Sequence, residues 1–255
     1  MIIIIALSLG AIVGSFLNVC IYRIPREISI VRPGSFCPQC SKPVRFFHNI
    51  PVVSYLILKG KCSSCSAPIS WRYPAVEILT ALVTSATLGH FGFSLDGSAF
   101  LIFFYLLIVI AFIDLEHFII PDSLLLLCLG AWCLLIFKDP SWLTLYEALL
   151  GSVVFGGFLY LAGQLGILVF KKESLGFGDV KLGFVLGMFL GWQLVVVSLY
   201  GAFFLAALVA AAGFITRRVK FGQMIPFGPF LILGCVGAVF LGERIIELFI
   251  LWMLT

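Results

Sequence analysis

Two carboxylates and four thiols are the residues of this chain whose type and spacing can do chemistry. Asp114 stands in Phe112-Ile113-Asp114-Leu115-Glu116-His117, directly after an apolar run over 101–113. Asp179 stands in Gly176-Phe177-Gly178-Asp179-Val180-Lys181, directly before the apolar run that begins at Leu182. Acidic groups in or beside membrane-spanning helices are costly and usually face a cavity. Asp114 would meet the negative end of its helix, so capping does not account for it. Asp179 admits two readings: a plain helix N-cap, or a working carboxylate to which the two glycines give a substrate or a neighbouring helix close access. Brought to one depth, the two carboxylates would share a proton, because like charges a few ångströms apart do not both ionise cheaply. One then serves as base toward a water while the other donates to a carbonyl oxygen, which is amide hydrolysis by an aspartyl dyad. Competing protease signatures, HExxH and GxSxG, do not occur in the sequence.

Other acids have blander readings. Asp122, after Pro121, suits the positive N-terminal end of a following helix. Glu77, one turn past Arg72-Tyr73-Pro74, is within reach of a loop arginine and reads as structural. His117 would share a face with Asp114 if that helix continued.

The thiols form two knuckles, Cys37-Pro38-Gln39-Cys40 and Cys62-Ser63-Ser64-Cys65. Each can present two thiolates from a tight turn, and together they supply the ligands of a closed tetrahedral zinc site. The alternative is a pair of disulfides, which would need an oxidising compartment. A four-thiolate site leaves no position for water, so such a zinc is structural and folds a loop too small to build its own core. His48 lies between the knuckles but is not needed as a ligand. Cys20, Cys128, Cys133 and Cys235 fall inside apolar spans and read as small core residues.

The elements that must position these groups are membrane helices. Of the 255 residues, 62% are hydrophobic and 11% charged, with a mean hydropathy of +1.19, which excludes an ordinary soluble domain. The fold expected is an all-α polytopic membrane protein of about eight transmembrane helices with a small cytosolic zinc-binding insert. Apolar spans lie near 1–22, 74–93, 98–113, 121–137, 143–170, 180–192, 194–215 and 227–254, with a tight turn at Gly191-Trp192-Gln193. Three segments follow: a first helix over 1–22, the four-cysteine zinc-binding insert over 23–73, and a helix bundle over 74–255. The first run lacks a basic n-region and reads as a retained helix rather than a signal peptide. With the N-terminus outside, the loops 23–73, 114–121, 171–181 and 216–226 hold fourteen of the sixteen Lys and Arg residues, leaving Lys138 and Arg244 on the other side. That asymmetry sets the insert and both aspartates on the cytosolic face. Glycines at four-residue spacing, Gly10/Gly14 and Gly183/Gly187/Gly191, predict close helix packing.

In order along the chain, Gly14-Ser15-Phe16-Leu17-Asn18-Val19, Tyr22-Arg23-Ile24-Pro25, the two knuckles, Asn49-Ile50-Pro51, Arg72-Tyr73-Pro74 with Glu77, Ile113-Asp114, Pro121-Asp122, Gly176 to Lys181 and Ile225-Pro226-Phe227-Gly228-Pro229 resemble the signatures of type IV prepilin leader peptidases. The resemblance covers nearly the whole chain. It implies Asp114 and Asp179 as the catalytic pair, the second within the GxGD pattern of intramembrane aspartyl proteases. It also implies cleavage of the basic leader of type IV prepilins or type II secretion pseudopilins, after a glycine, at the cytosolic face of the bacterial inner membrane. Methylation of the new N-terminus with S-adenosylmethionine is implied by resemblance alone, since no Rossmann glycine loop is recognisable. The region around Gly60 is where that second activity would be sought. Membrane lipid is the expected surrounding, and no nucleic acid is expected as a partner. Two other readings compete: a proton-coupled transporter, which predicts acids at the bilayer midplane and a repeat across two halves, and a silent assembly protein that docks through its zinc loop.

Overall fold

The computed structural model describes residues 2–136, 143–171, 175–217 and 225–254. Four basic residues used in the charge count, Lys138, Lys172, Arg218 and Lys220, lie outside the described residues. The described chain is helical: α1 (Ile2–Arg23), α2 (Val53–Ile57), α3 (Arg72–Phe91), α4 (Leu95–His117), α5 (Asp122–Ile136), α6 (Leu145–Phe170), α7 (Phe177–Ile215) and α8 (Gly228–Leu254). Five of these helices, α1, α4, α6, α7 and α8, are long and apolar enough to cross a membrane. Backbone packing divides the chain within α4 into two units, Met1–Val109 and Ile110–Thr255.

In the first unit, α1 lies on α3 with backbones in contact. A Cβ on Gly10 would stand 2.6 Å from the Ala81 Cα, and one on Gly14 would stand 2.7 Å from the Glu77 Cα. Glycine at both positions is what permits this approach, as its spacing predicts. The polar groups on this seam are satisfied locally. Thr80, Thr84 and Thr87 each donate to the carbonyl four residues back, and the Thr84 and Tyr105 hydroxyls meet at 2.7 Å. The Phe91 and Phe100 rings stack at 4.5 Å where α3 gives way to α4.

In the second unit, α6 packs on α7 through glycines. A Cβ on Gly151 would stand 2.7 Å from the Gly191 carbonyl carbon, and one on Gly183 would stand 2.7 Å from Leu159 Cδ1. The 39 residues of α7 are not one rod, because Gly191 takes φ 67°, ψ 165°. Gly183 contacts Leu159 while Phe203, on the far side of Gly191, sets its ring 6.0 Å from Phe158. In a straight helix those two α7 positions would be about 30 Å apart. Both meet neighbouring residues of α6, so the chain doubles back at Gly191, where the sequence predicts a tight turn, and only glycine adopts that conformation without strain. The returning arm lies against α8, with Gly242 against Leu194 and Gly234 against Ser198 and Ala202. The Trp132 indole of α5 donates to the Met188 carbonyl at 3.0 Å. Cys20, Cys128 and Cys235 are buried in the helices and Cys133 is half-buried.

Candidate functional site: a carboxylate pair and a thiol cluster

α4 runs on past the apolar stretch to His117, so Asp114 sits inside the last turn, with His117 one turn below it. Its side chain is 5% exposed and accepts the Gly228 backbone N–H at 3.1 Å. Gly228 is the first residue of α8, and its N–H belongs to the free donor set at the positive end of a helix. Asp114, misplaced with respect to its own helix, is thus bonded to the favourable end of another.

Asp179 is not the N-cap of α7. That position is Gly176, and Asp179 is the third helical residue. Its carboxylate lies beside Gly176, with Oδ2 3.3 Å from where a Cβ on that glycine would stand, so Asp179 is not the plain N-cap of the structural reading. It is also 9% exposed, and the charges of Asp114 and Asp179 are close enough to act on each other.

Ile120 joins the two halves of the site. A Cβ on Gly178 would stand 3.3 Å from the Ile120 Cβ, and one on Gly228 would stand 3.5 Å from its Cδ1. A Cβ on Gly228 would also fall 2.7 Å from Asp114 Oδ2. Gly178 and Gly228 both pack against Ile120, which sets the helix ends that carry Asp114 and Asp179 side by side. Below them Asp122 opens α5 and takes Lys181 Nζ at 2.8 Å and 2.9 Å, tying the start of α5 to the first turn of α7. The Asp114–Gly228 bond and the part of Ile120 are not legible from any local pattern, since 114 residues separate donor from acceptor.

The second cluster lies in the first unit. The four sulfurs of Cys37, Cys40, Cys62 and Cys65 lie within 4.8 Å of one another, and all four cysteines are free. The Cys37 and Cys65 sulfurs are 3.9 Å apart, whereas zinc–sulfur bonds of about 2.3 Å set tetrahedron edges of about 3.8 Å. The cluster therefore fits a tetrahedral cation and could hold a metal ion, and a disulfide would need sulfurs about 2.05 Å apart. His48 is not part of the cluster.

The knuckles are built alike. Cys37 N donates to Lys42 O and Ser41 N to Cys37 O; Cys62 N donates to Ala67 O and Ser66 N to Cys62 O. Ser41 and Ser66 both take positive φ, 56° and 59°, and a one-residue bridge closes each turn, Phe36 to Pro43 and Lys61 to Pro68. The signal is present in the sequence as a two-copy pattern, Cys-x-x-Cys-Ser-x-Pro, beyond the cysteines alone. The Ser64 N–H, 3.4 Å from the Cys62 sulfur, then the Cys65 N–H and the adjoining thiols, hold the Cys62 thiol down at about 6. On Cys65 the Ala67 N–H pulls downward, but desolvation and the three other sulfurs outweigh it and push that thiol up to about 11.

Arg23 and Glu77 fasten the insert to its helices, and Asn18 ties α1 to the start of α3. Arg23, 3% exposed at the end of α1, donates to Ser29 O at 2.8 Å and Gly34 O at 3.0 Å, with its guanidinium 5.6 Å from the Phe36 ring. Asn18 donates to Tyr73 O at 3.0 Å. Glu77, 7% exposed, accepts the Val52 N–H at 2.7 Å. Its structural reading gains a specific content, since Val52 is held at φ 60°.

An all-helical chain with five membrane-length apolar helices, a buried carboxylate pair and a four-thiol cluster defines a class of membrane-embedded protein with one acidic centre and one metal-competent insert. Comparison with known proteins specifies it further. Residues 8–91 match the bacterial peptidase A24 N-terminal domain, and residues 101–211 match the type IV leader peptidase family. The chain is 36% identical to the prepilin leader peptidase/N-methyltransferase of Stutzerimonas stutzeri, over 94% of this chain and 91% of that one. It is also 36% identical to the proteins of the same name from Pseudomonas aeruginosa, over 93% and 89% of the two chains, and from Bacillus subtilis, over 94% and 95%. The chain belongs to the type IV leader peptidase family. No solved structure matches it.

Proposed function

We propose that this chain is an intramembrane aspartyl endopeptidase that removes the basic leader of type IV prepilins or type II secretion pseudopilins and then methylates the new N-terminus. The observation that supports it most is that two buried carboxylates, Asp114 and Asp179, stand on helix ends that both pack against Ile120, near enough for their charges to interact. In the reaction one carboxylate is ionised and takes a proton from water, and the other, protonated, donates to the oxygen of the scissile carbonyl. The Gly228 N–H stabilises negative charge on Asp114 Oδ2, so Asp114 serves as the base and Asp179 as the acid. As the water oxygen adds to the carbonyl carbon, Asp114 gains its proton and Asp179 loses one to the carbonyl oxygen. Collapse expels the amine, which takes a proton from Asp114, while a hydroxyl of the intermediate returns a proton to Asp179, so the new carboxylic acid forms and the pair regains its starting protonation.

The finer topology is part of the same proposal. Counting the two arms of α7 separately, and α3 and α5 with them, gives eight crossings. The preponderance of Lys and Arg in alternate loops favours a cytosolic insert and cytosolic aspartates in the bacterial inner membrane. The chain then divides into a first helix over 1–22, an insert over 23–73 and a protease bundle over 74–255. Cys37, Cys40, Cys62 and Cys65 would hold a zinc ion that folds the insert and leaves no open position for chemistry. The methyl donor, S-adenosylmethionine, is proposed from the relatives' second activity, and no residue is assigned to it. The test is incubation of the reconstituted protein with a model prepilin, followed by mass spectrometry. Loss of the leader is expected, with gain of one methyl group when the donor is supplied. An intact precursor would overturn the proposal.

A further inference from the structure

The insert carries an apolar surface with a definite position. The turn over Phe46–Asn49 and helix α2 form one small body: Ser54 donates to Phe47 O at 2.9 Å and accepts the Ile50 N–H at 3.0 Å. Ser54 is 7% exposed on the inner side of α2, whereas Phe46, Phe47, Leu56 and Ile57 are 82%, 75%, 68% and 72% exposed on the outside. The depth of this body is fixed by Glu77. That carboxylate takes the Val52 N–H, and it lies five residues into α3, about 7.5 Å along the helix from its start. With α3 a crossing helix, as in the proposed topology on which this inference rests, a segment bonded at that level lies at the membrane boundary rather than in the aqueous phase above it.

Charge narrows what can cover it. Residues 23–73 hold eight of the sixteen basic residues and one of the twelve acids, Glu27. Arg45, Lys59 and Lys61, which flank the apolar body, are exposed and form no ion pair among the described residues. A second copy of this chain would bring the same positive excess to the contact. An anionic bilayer surface brings the opposite charge together with an apolar layer beneath it. We infer that residues 46–57 are an interfacial anchor: Phe46, Phe47, Leu56 and Ile57 enter the headgroup–acyl boundary of the anionic leaflet beside α3, and Arg45, Lys59 and Lys61 meet lipid phosphates. The Glu77–Val52 bond sets the level of the anchor, and the thiol cluster is thereby held against the membrane surface.

The test uses the full chain with Phe47 replaced by trifluoromethyl-phenylalanine, in nanodiscs of phosphatidylcholine alone or of equal parts phosphatidylcholine and phosphatidylglycerol. Fluorine line broadening is read with a nitroxide on the lipid headgroup and separately with a gadolinium chelate in the buffer. In the anionic bilayer the lipid nitroxide should broaden the signal several-fold more than the chelate, with the balance moving toward the chelate in phosphatidylcholine. Arg45→Gln and Lys59→Gln should each lower the lipid-contacting population ratio roughly fivefold, while metal content stays unchanged. Dominance of the chelate in the anionic bilayer overturns the inference. So does lipid contact indifferent to headgroup charge, or broadening that follows the protein-to-lipid ratio, which would mean that a second copy covers the surface. None of these readouts depends on peptide cleavage.

Discussion

Gly228→Ala isolates the geometry of the acidic site from the stability of the bundle. At an ordinary helical position, glycine to alanine is favourable by roughly 0.5–1 kcal/mol. Here the new methyl would fall 2.7 Å from Asp114 Oδ2, 3.3 Å from its Cγ and 3.5 Å from Ile120 Cδ1. A carbon and a carboxylate oxygen do not share 2.7 Å, so the carboxylate must retreat by several tenths of an ångström or the start of α8 must move. Either way the 3.1 Å bond from Gly228 N is disturbed. Misplacing a reacting group by about 1 Å costs about a hundredfold in rate, or about 3 kcal/mol in the barrier. A shift of about half that should therefore lower cleavage of a model prepilin in nanodiscs by roughly tenfold, chiefly in kcat. The melting temperature should stay close to that of the parent. Gly237→Ala in the same helix is the control, because nothing lies within 4 Å of its added methyl. If Gly228→Ala cleaves as fast as Gly237→Ala, the Gly228 N–H does not hold Asp114 in its working position and the assignment of Asp114 as base loses its support.

Three further outcomes are expected. Gly187→Ala sets a methyl against the Gly151 carbonyl and should cost about 1–3 kcal/mol through overpacking of α6 on α7, read as a lower melting temperature in detergent. Metal bound by the four thiols displaces their protons, so affinity should fall as pH falls and release should steepen below about 6, where the Cys62 thiolate is protonated as well; a metal indicator across a pH series checks this, and affinity that rises on acidification contradicts it. Glu77→Ala leaves the Val52 N–H without its acceptor and should raise protease susceptibility within 46–60 while the helices stay protected, as limited proteolysis with mass mapping would show.

Much of this architecture is readable from sequence because membrane helices announce themselves by length and apolarity, and because the spacing of the knuckle cysteines marks out the four thiols that cluster. The turn at Gly191 is legible for a physical reason: an apolar run too long for one crossing, interrupted by Gly191-Trp192-Gln193, has to fold back. Asp114 is legible as an acid on the wrong end of a helix. Its remedy is not, because the Gly228 N–H comes from α8, and no local pattern specifies which helix start will face which helix end. Asp179 shows the same limit from the other side. Its sequence context admits capping beside a working role, but the cap proper falls to Gly176, three residues earlier, so the carboxylate sits inside the first turn rather than at the cap. Glu77 reads as a partner for a loop arginine because charge suggests charge; the hydrogen bond observed is from the Val52 backbone N–H, at a residue with positive φ.

The central claim is that Asp114 and Asp179 act as one unit. The direct measurement is cleavage of a model prepilin in nanodiscs by the parent, Asp114→Asn, Asp179→Asn and the double variant, each verified as folded. Residues of one catalytic unit are grossly non-additive, so each single variant should lose about as much activity as the double one. Near-parent cleavage by either single variant, or losses that multiply in the double variant, would contradict a shared-proton dyad.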